Sequence, residues 1–281
     1  MPRTWLLSGV PRSGTSLCCR LAGGLPDTVA LSEPIRRKAF GGMETPRGAC
    51  ARIGDFIEET RARILVERRA SSVQVDGRLD DNRVASRHTD AGLRRLRGEW
   101  GEIAIDKPLS ADFTLLIKHN ALFAALLPRL TESFSCLALV RNPLSVLASW
   151  QTVDLPVHRG RIPAGEELDG GLHRALEREP EVLARQLVVL DWFFGRFHSR
   201  LNPANIIRYE DVVEGGGVAL FRRLGHAGAR PAELTSRNHS ALYDAAMVDT
   251  LLGALLDRGG HWTRFYTRED CERVADGIRR E

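Results

Sequence analysis

Four short apolar runs rich in branched residues punctuate the chain: Thr4–Gly9, 115–118, 136–140 and 205–209. Each is followed by turn chemistry and then by apolar positions at helical spacing. Such runs read as strands buried on both faces, and strands alternating with helices build a parallel sheet covered on both sides. The pattern predicts an α/β fold with three α/β/α layers around a central parallel sheet. Between the first two runs lie about a hundred residues rich in Arg and Glu, in which segments such as 53–69 keep the helical period. Residues 152–180 are polar and Gly-rich with little core signal. We read two stretches, about 44–105 and 152–190, as helical insertions capping the open end of the sheet, where ligands of α/β folds bind. From Ala232 the pattern is helical again, ending in a short segment around 259–267. No repeat, low-complexity tract or linker interrupts the 281 residues, so one domain over 1–281 is expected.

The turn after the first run is Gly9-Val10-Pro11-Arg12-Ser13-Gly14-Thr15-Ser16, with the glycine spacing of a P-loop. Such glycines let the backbone fold tightly, so that successive N–H groups and a helix N-terminus converge on an anion. A kinase or ATPase loop needs Lys directly after the second glycine, and here that position is Thr15. The cation is Arg12 instead, which suits a 5′-phosphosulfate better than the β/γ-phosphates of a nucleoside triphosphate. The 136–140 run ends in Arg141, where a nucleoside triphosphatase places an Asp to hold Mg²⁺. Asn142 and Pro143 then fit the cap and first position of a helix. Arg141 offers a planar fork of donors to a phosphate, and Ser149 a hydroxyl.

Composition narrows the classes. Hydrophobic residues make up 43% and charged residues 27%, as in ordinary soluble proteins. No stretch approaches the roughly 20 apolar residues of a membrane span. Met1 leads almost directly into the first strand, so no signal peptide and a cytosolic location are expected. Five cysteines show no CxxC spacing and eight histidines form no HxH or HExxH pair, so no metal is expected. The net charge of +4 suits an anionic small ligand and is too small and dispersed for nucleic acid. Lys38, Lys107 and Lys118 are the only lysines among 40 basic residues, which draws attention to each, because Arg does not replace a compact point charge.

Together, PRSGTS and the later VRNPxxxxxS resemble the sulfotransferases that use 3′-phosphoadenosine-5′-phosphosulfate (PAPS), with core motifs closest to the tyrosylprotein, carbohydrate and bacterial types. The resemblance covers residues 4–34, 115–150 and 205–213. It implies that Arg12, Ser13, Gly14, Thr15 and Ser16 hold the 5′-phosphosulfate, and that Arg141 and Ser149, eight residues apart, hold the 3′-phosphate. Tyr209, in the segment RYED, would border the nucleotide. Glu33 stands where those families place a catalytic Glu after the first helix. Lys118 would neutralise the leaving phosphate, tempered by Ser149 until the acceptor binds. His119 is the rival base: the phenol and steroid enzymes carry KTH before a helix ending LLP, and here KHN precedes 125–128, ALLP. Lys118 and His119 are adjacent, so both can serve one site only where the strand has ended. The tail at 260–267 is similar to GDWKxxFT, which makes Arg258 or Arg264 a further phosphate contact.

The expected reaction is in-line sulfuryl transfer from PAPS to a hydroxyl-bearing small molecule or natural product, without a metal, nucleic acid or membrane as partner. Glu33 is the expected base, with Lys118, Arg12 and His119 as the other catalytic groups. A P-loop kinase or hydrolase is the alternative, and a non-catalytic adaptor the third reading. A homodimer is left open.

Overall fold

The computed structural model describes residues 3–36, 45–82, 84–89 and 92–280. Lys38 and the first residue of the 44–105 insertion lie outside them. In chain order the elements begin with β1 (Thr4–Gly9), α1 (Thr15–Gly23), β2 (Thr28–Ser32), α2 (Pro46–Glu67), β3 (Arg69–Gln74), β4 (Val84–His88), β5 (Arg94–Leu96) and β6 (Glu99–Ala104). Then follow β7 (Thr114–Lys118), α3 (Asn120–Leu130), β8 (Ser135–Val140), α4 (Pro143–Gln151), a 3₁₀ turn at Pro156–Arg159, α5 (Pro163–Leu168), α6 (Gly170–Arg178) and α7 (Val182–Arg200). The chain finishes with β9 (Ile206–Arg208), α8 (Tyr209–Glu214), α9 (Val218–Arg223), α10 (Ala245–Arg258) and α11 (Arg268–Arg280).

Five strands form one sheet in the order β2-β7-β1-β8-β9, and every pairing is parallel. Alternation along each strand sorts the side chains into two cores. Leu6, Leu31, Ile117 and Val140 face the larger layer, with α3, α4 and α7. Leu7, Ala30, Leu116 and Leu139 face α1 and α9. The expected three layers and central parallel sheet are present. The loop after β1 sits where the connections diverge, β2 and β7 to one side and β8 to the other, which is the ligand-binding edge of such sheets.

Three sequence expectations change. The 44–105 insertion is helical only through α2. Its remainder is two antiparallel ribbons, β3 with β6 and β4 with β5. In β3 exposed Arg69 is followed by alternating buried positions, Ala70, Ser72 and Gln74, a period of two that small and polar residues disguise. Strand β2 is a fifth member of the sheet. The segment from Ala232 is irregular until α10 begins at Ala245. Residues 152–190 hold the 3₁₀ turn, α5, α6 and the first part of α7, joined by short irregular links. Among the described residues, no helix is long and apolar enough to cross a membrane.

Candidate active site

At the end of β1 the chain reverses through a tight loop. The Ser13 N–H donates to the Val10 carbonyl (2.9 Å) and the Ser13 hydroxyl to the Leu139 carbonyl (3.1 Å), which ties the loop to β8. A Cβ on Gly9 would lie 2.4 Å from the Thr15 methyl and 2.8 Å from the Leu139 carbonyl. Gly14 has φ +97° and faces the Tyr209 ring, so no side chain fits there. Helix α1 then starts at Thr15 with no side-chain cap. The N–H groups of a first helical turn have no intrahelical partner, and here they open beside Thr15 and Ser16 into a cavity of about 470 Å³.

At one end of that cavity stand Glu33 and Lys118. Parallel register places Ser32 opposite Lys118, and the Glu33 N–H donates to the Lys118 carbonyl (2.7 Å). Glu33 then turns with φ +48°, left-handed and unusual for a residue with a Cβ, which brings its carboxylate to 2.5 Å from Lys118 Nζ. Lys118 is 1% exposed and Glu33 28%, so the ammonium is buried and the carboxylate meets the cavity. Strand β7 ends at Lys118, and His119 is the extended N-cap of α3, its ring tilted against Phe123. The condition under which both side chains serve one site is met: both line the cavity.

Towards the other side of the cavity lie the arginines. Arg12 has φ +73°. Its Nε donates to the Ser149 hydroxyl (3.2 Å), and its terminal nitrogens approach the Asn82 side-chain oxygen (3.3 and 3.4 Å). Burial, then the positive charges of Arg141, Arg94 and Arg237, push its pKa from 12.5 down to about 10, with Tyr243 acting in the opposite sense. Arg94 is lowered too, by burial and by Arg237, and it donates to Thr152. Arg141 stacks 4.7 Å from the Tyr209 ring centre. It donates to the carbonyls of Arg12 (2.9 Å) and Arg237 and to the Asn238 side chain (2.8 Å). The Tyr209 hydroxyl accepts from the Arg237 N–H (3.0 Å). Glu210 holds the backbone of this corner in place, accepting from the Asn142 N–H (3.1 Å) and the Asn238 amide (2.8 Å). The Trp150 indole donates to the Pro11 carbonyl (2.9 Å) and fixes the loop from below.

Of the residues expected from the sequence, Arg12, Gly14, Thr15, Ser16, Glu33, Lys118, His119, Arg141 and Tyr209 line one cavity. Ser13 and Ser149 do not line it. Ser13 anchors the loop, and Ser149, expected beside Lys118, accepts from Arg12. Arg258 pairs with Glu179 (3.4 Å), and neither it nor Arg264 lines the cavity. Arg237 reaches the site instead, from the irregular segment where a helix was expected, and Arg94 arrives on the unexpected ribbon strand β5. Neither carries a local signal, because a lone Arg in so arginine-rich a chain stands out from nothing. Among the described residues, no three His, Cys, Asp or Glu side chains converge as a metal site.

No protein-family model matches the chain, and no curated protein matches it. Among solved structures, a sulfotransferase domain from the curacin biosynthetic pathway is similar over 99% of this chain and 98% of its own, at a TM-score of 0.39 and 17% identity. A likeness at that level brings neither a family nor an activity to this chain.

Proposed function

We propose that the protein is a sulfotransferase that moves the sulfuryl group of PAPS to a hydroxyl acceptor. One observation carries this reading: four arginines crowd together beside an uncapped helix N-terminus, and the same cavity holds a carboxylate paired with a buried lysine. Crowded cations are unfavourable without an anion among them. A nucleotide with separate 3′- and 5′-phosphates has two anionic groups to match two cationic places. The residues fit it. The first turn of α1, with the Thr15 and Ser16 hydroxyls, receives the 5′-phosphosulfate. Arg12, which the resemblance puts on the 5′-phosphosulfate, turns towards Ser149 and with Arg141 and Arg237 receives the 3′-phosphate instead, with Tyr209 against the nucleotide.

In the reaction Glu33 accepts the proton of the acceptor hydroxyl as its oxygen attacks sulfur. Lys118 releases Glu33 and turns its ammonium towards the bridging oxygen, where negative charge builds as the bond to sulfur breaks. His119, at the mouth of the same strand, orients the acceptor. The resting ion pair restrains the ammonium until an acceptor separates the two groups.

Calorimetry tests the reading with 3′-phosphoadenosine-5′-phosphate, adenosine 5′-monophosphate and ATP–Mg²⁺, alongside transfer of ³⁵S from labelled PAPS. The 3′-phosphorylated nucleotide is expected to bind without metal and at least tenfold tighter than the monophosphate. Preference for ATP–Mg²⁺ would instead establish the kinase or hydrolase alternative.

A further inference from the structure

Six apolar side chains line the cavity from two segments of the chain. Leu155, Val157, Ile162, Pro163 and Ala164 line it from the segment after α4, and Leu96 lines it from β5. Helix α5, which carries Pro163 and Ala164, packs on α3, the helix that begins directly after Lys118 and His119, and all of these residues line the cavity that Glu33 lines. The polar side chains of the same segment are committed elsewhere. His158 Nδ1 meets the Trp150 carbonyl (3.1 Å), Arg159 pairs with Asp154 (3.4 Å), and Arg161 pairs with Glu177 (2.6 Å) and Glu166 (2.5 Å).

The wall is also held in place. Buried Gln186 donates to the carbonyls of Val157 and His158 (3.0 Å each) and accepts from Gln151 (2.8 Å). Glu166 accepts from the Ile162 N–H (2.7 Å). Gly160, at φ +65°, makes the turn between them, where a Cβ would strike the Arg185 side chain at 2.4 Å. Leu96 is 42% exposed, an apolar side chain facing the cavity and not the core.

From this wall, and resting on the sulfotransferase reading, we infer that the acceptor is a hydroxyl borne on an aliphatic chain. A sugar buried against these six side chains would leave its hydroxyls unpaired, which costs affinity at each one. A phenol would find no aromatic ring on the wall for stacking or edge contacts. An alkyl chain loses nothing polar and gains with every methylene buried. The hydroxyl oxygen forms the new O–S bond, its proton passes to Glu33, and the S–O bond to the 5′-phosphate breaks with its electron pair leaving on the phosphate. The products are an alkyl sulfate and 3′-phosphoadenosine-5′-phosphate.

The test is ³⁵S transfer from PAPS to the 1-alkanols from butanol to octanol, with phenol, 4-nitrophenol, glucose and N-acetylglucosamine in parallel. Binding of 3′-phosphoadenosine-5′-phosphate is measured on the same preparations. The value of kcat/KM is expected to rise about fourfold per methylene, the factor that burying one CH₂ supplies. The phenols and sugars are expected at least tenfold below octanol. Leu96→Gln, at a half-exposed position, and Ile162→Ser should each flatten the series, the nucleotide titration reporting an intact fold. A flat alkanol series, preference for a phenol or sugar, or nucleotide binding with no alkanol labelled overturns the inference and leaves the nucleotide site standing. Failure to bind the nucleotide at all overturns the sulfotransferase reading, and this inference with it.

Discussion

Replacing Arg12 with Asn should make the ligand-free protein more stable while crippling nucleotide binding. Lowering the Arg12 pKa to about 10, by burial first and by Arg141 next, corresponds to ~3 kcal/mol of unfavourable environment for the charged form. Arg12 is only partly buried, and solvent screening reduces that to about 1–2 kcal/mol. Asn also tolerates the left-handed backbone at φ +73° better than Arg, by about 0.5 kcal/mol. Against this stand the hydrogen bonds to Ser149 and Asn82, long at 3.2–3.4 Å and together contributing about 1 kcal/mol. The net gain is about 1 kcal/mol, or about 2 °C in Tm for a chain of this size.

Urea unfolding with and without 3′-phosphoadenosine-5′-phosphate measures both effects. Nucleotide affinity should fall about 10–100-fold, the loss of one charged hydrogen-bonding group. A base whose folded pKa is depressed gives a folded state that binds fewer protons than the unfolded one between about pH 10 and 12.5. Stability of the parent protein therefore rises with pH only in that window. The advantage of Arg12→Asn should be flat from pH 6 to 9 and shrink above about pH 10. A variant less stable than its parent without ligand would refute the crowding argument, because it would mean that the guanidinium is held by favourable contacts and not pressed among cations.

Three further outcomes test other parts of the site. Glu33→Gln should lower kcat about 10²–10⁴-fold with nucleotide affinity little changed, and His119→Ala by about tenfold; stopped assays with labelled PAPS read both, and the reverse order would move the base to His119. Gly14→Ala should cost about 1–3 kcal/mol in urea unfolding and weaken nucleotide binding, since its φ is +97° and the new Cβ would lie 2.7 Å from the Tyr209 ring. Burial pushes the Cys18, Cys136 and Cys271 thiols up to about 12, so at pH 8 these three should resist iodoacetamide until the protein is unfolded, as peptide mass mapping would show.

Four of the five sheet strands are legible in the sequence, three of them mostly buried and β9 buried only at Ile207. β1, β7 and β8 read as unbroken apolar runs because helices cover both sides of the sheet. β2 is equally buried, but Thr28 and Ser32 close its ends and only three apolar residues remain between them. β3, β5 and β6 lie outside that sheet and carry Arg, Ser and Glu at open positions, so their period of two is lost among charges. The site divides in the same way. Arg12, Glu33, Lys118 and Arg141 sit at or just beyond strand ends, inside the local motifs that carry the resemblance. Arg94 and Arg237 reach the cluster only through tertiary contacts, as the bond from Arg141 to Asn238, 97 residues away, illustrates.

Two of the strand-end residues, Arg12 and Glu33, hold left-handed backbone despite bearing a Cβ, at a cost of about 1–3 kcal/mol each. Both stand at the ligand-binding edge of the sheet, and one of them is also the crowded cation. Asp27, Arg68 and Asp76 are left-handed as well, so what sets this edge apart is that Arg12 is also a cation among cations, where an anion would offset the charge. A ligand that binds only the folded state at 100 times its Kd stabilises it by about 2.7 kcal/mol. That exceeds the crowding at Arg12 and is similar to the strain at one left-handed residue. On the proposed function, the arginines at this edge are the groups that would select a dianionic phosphate over a neutral molecule.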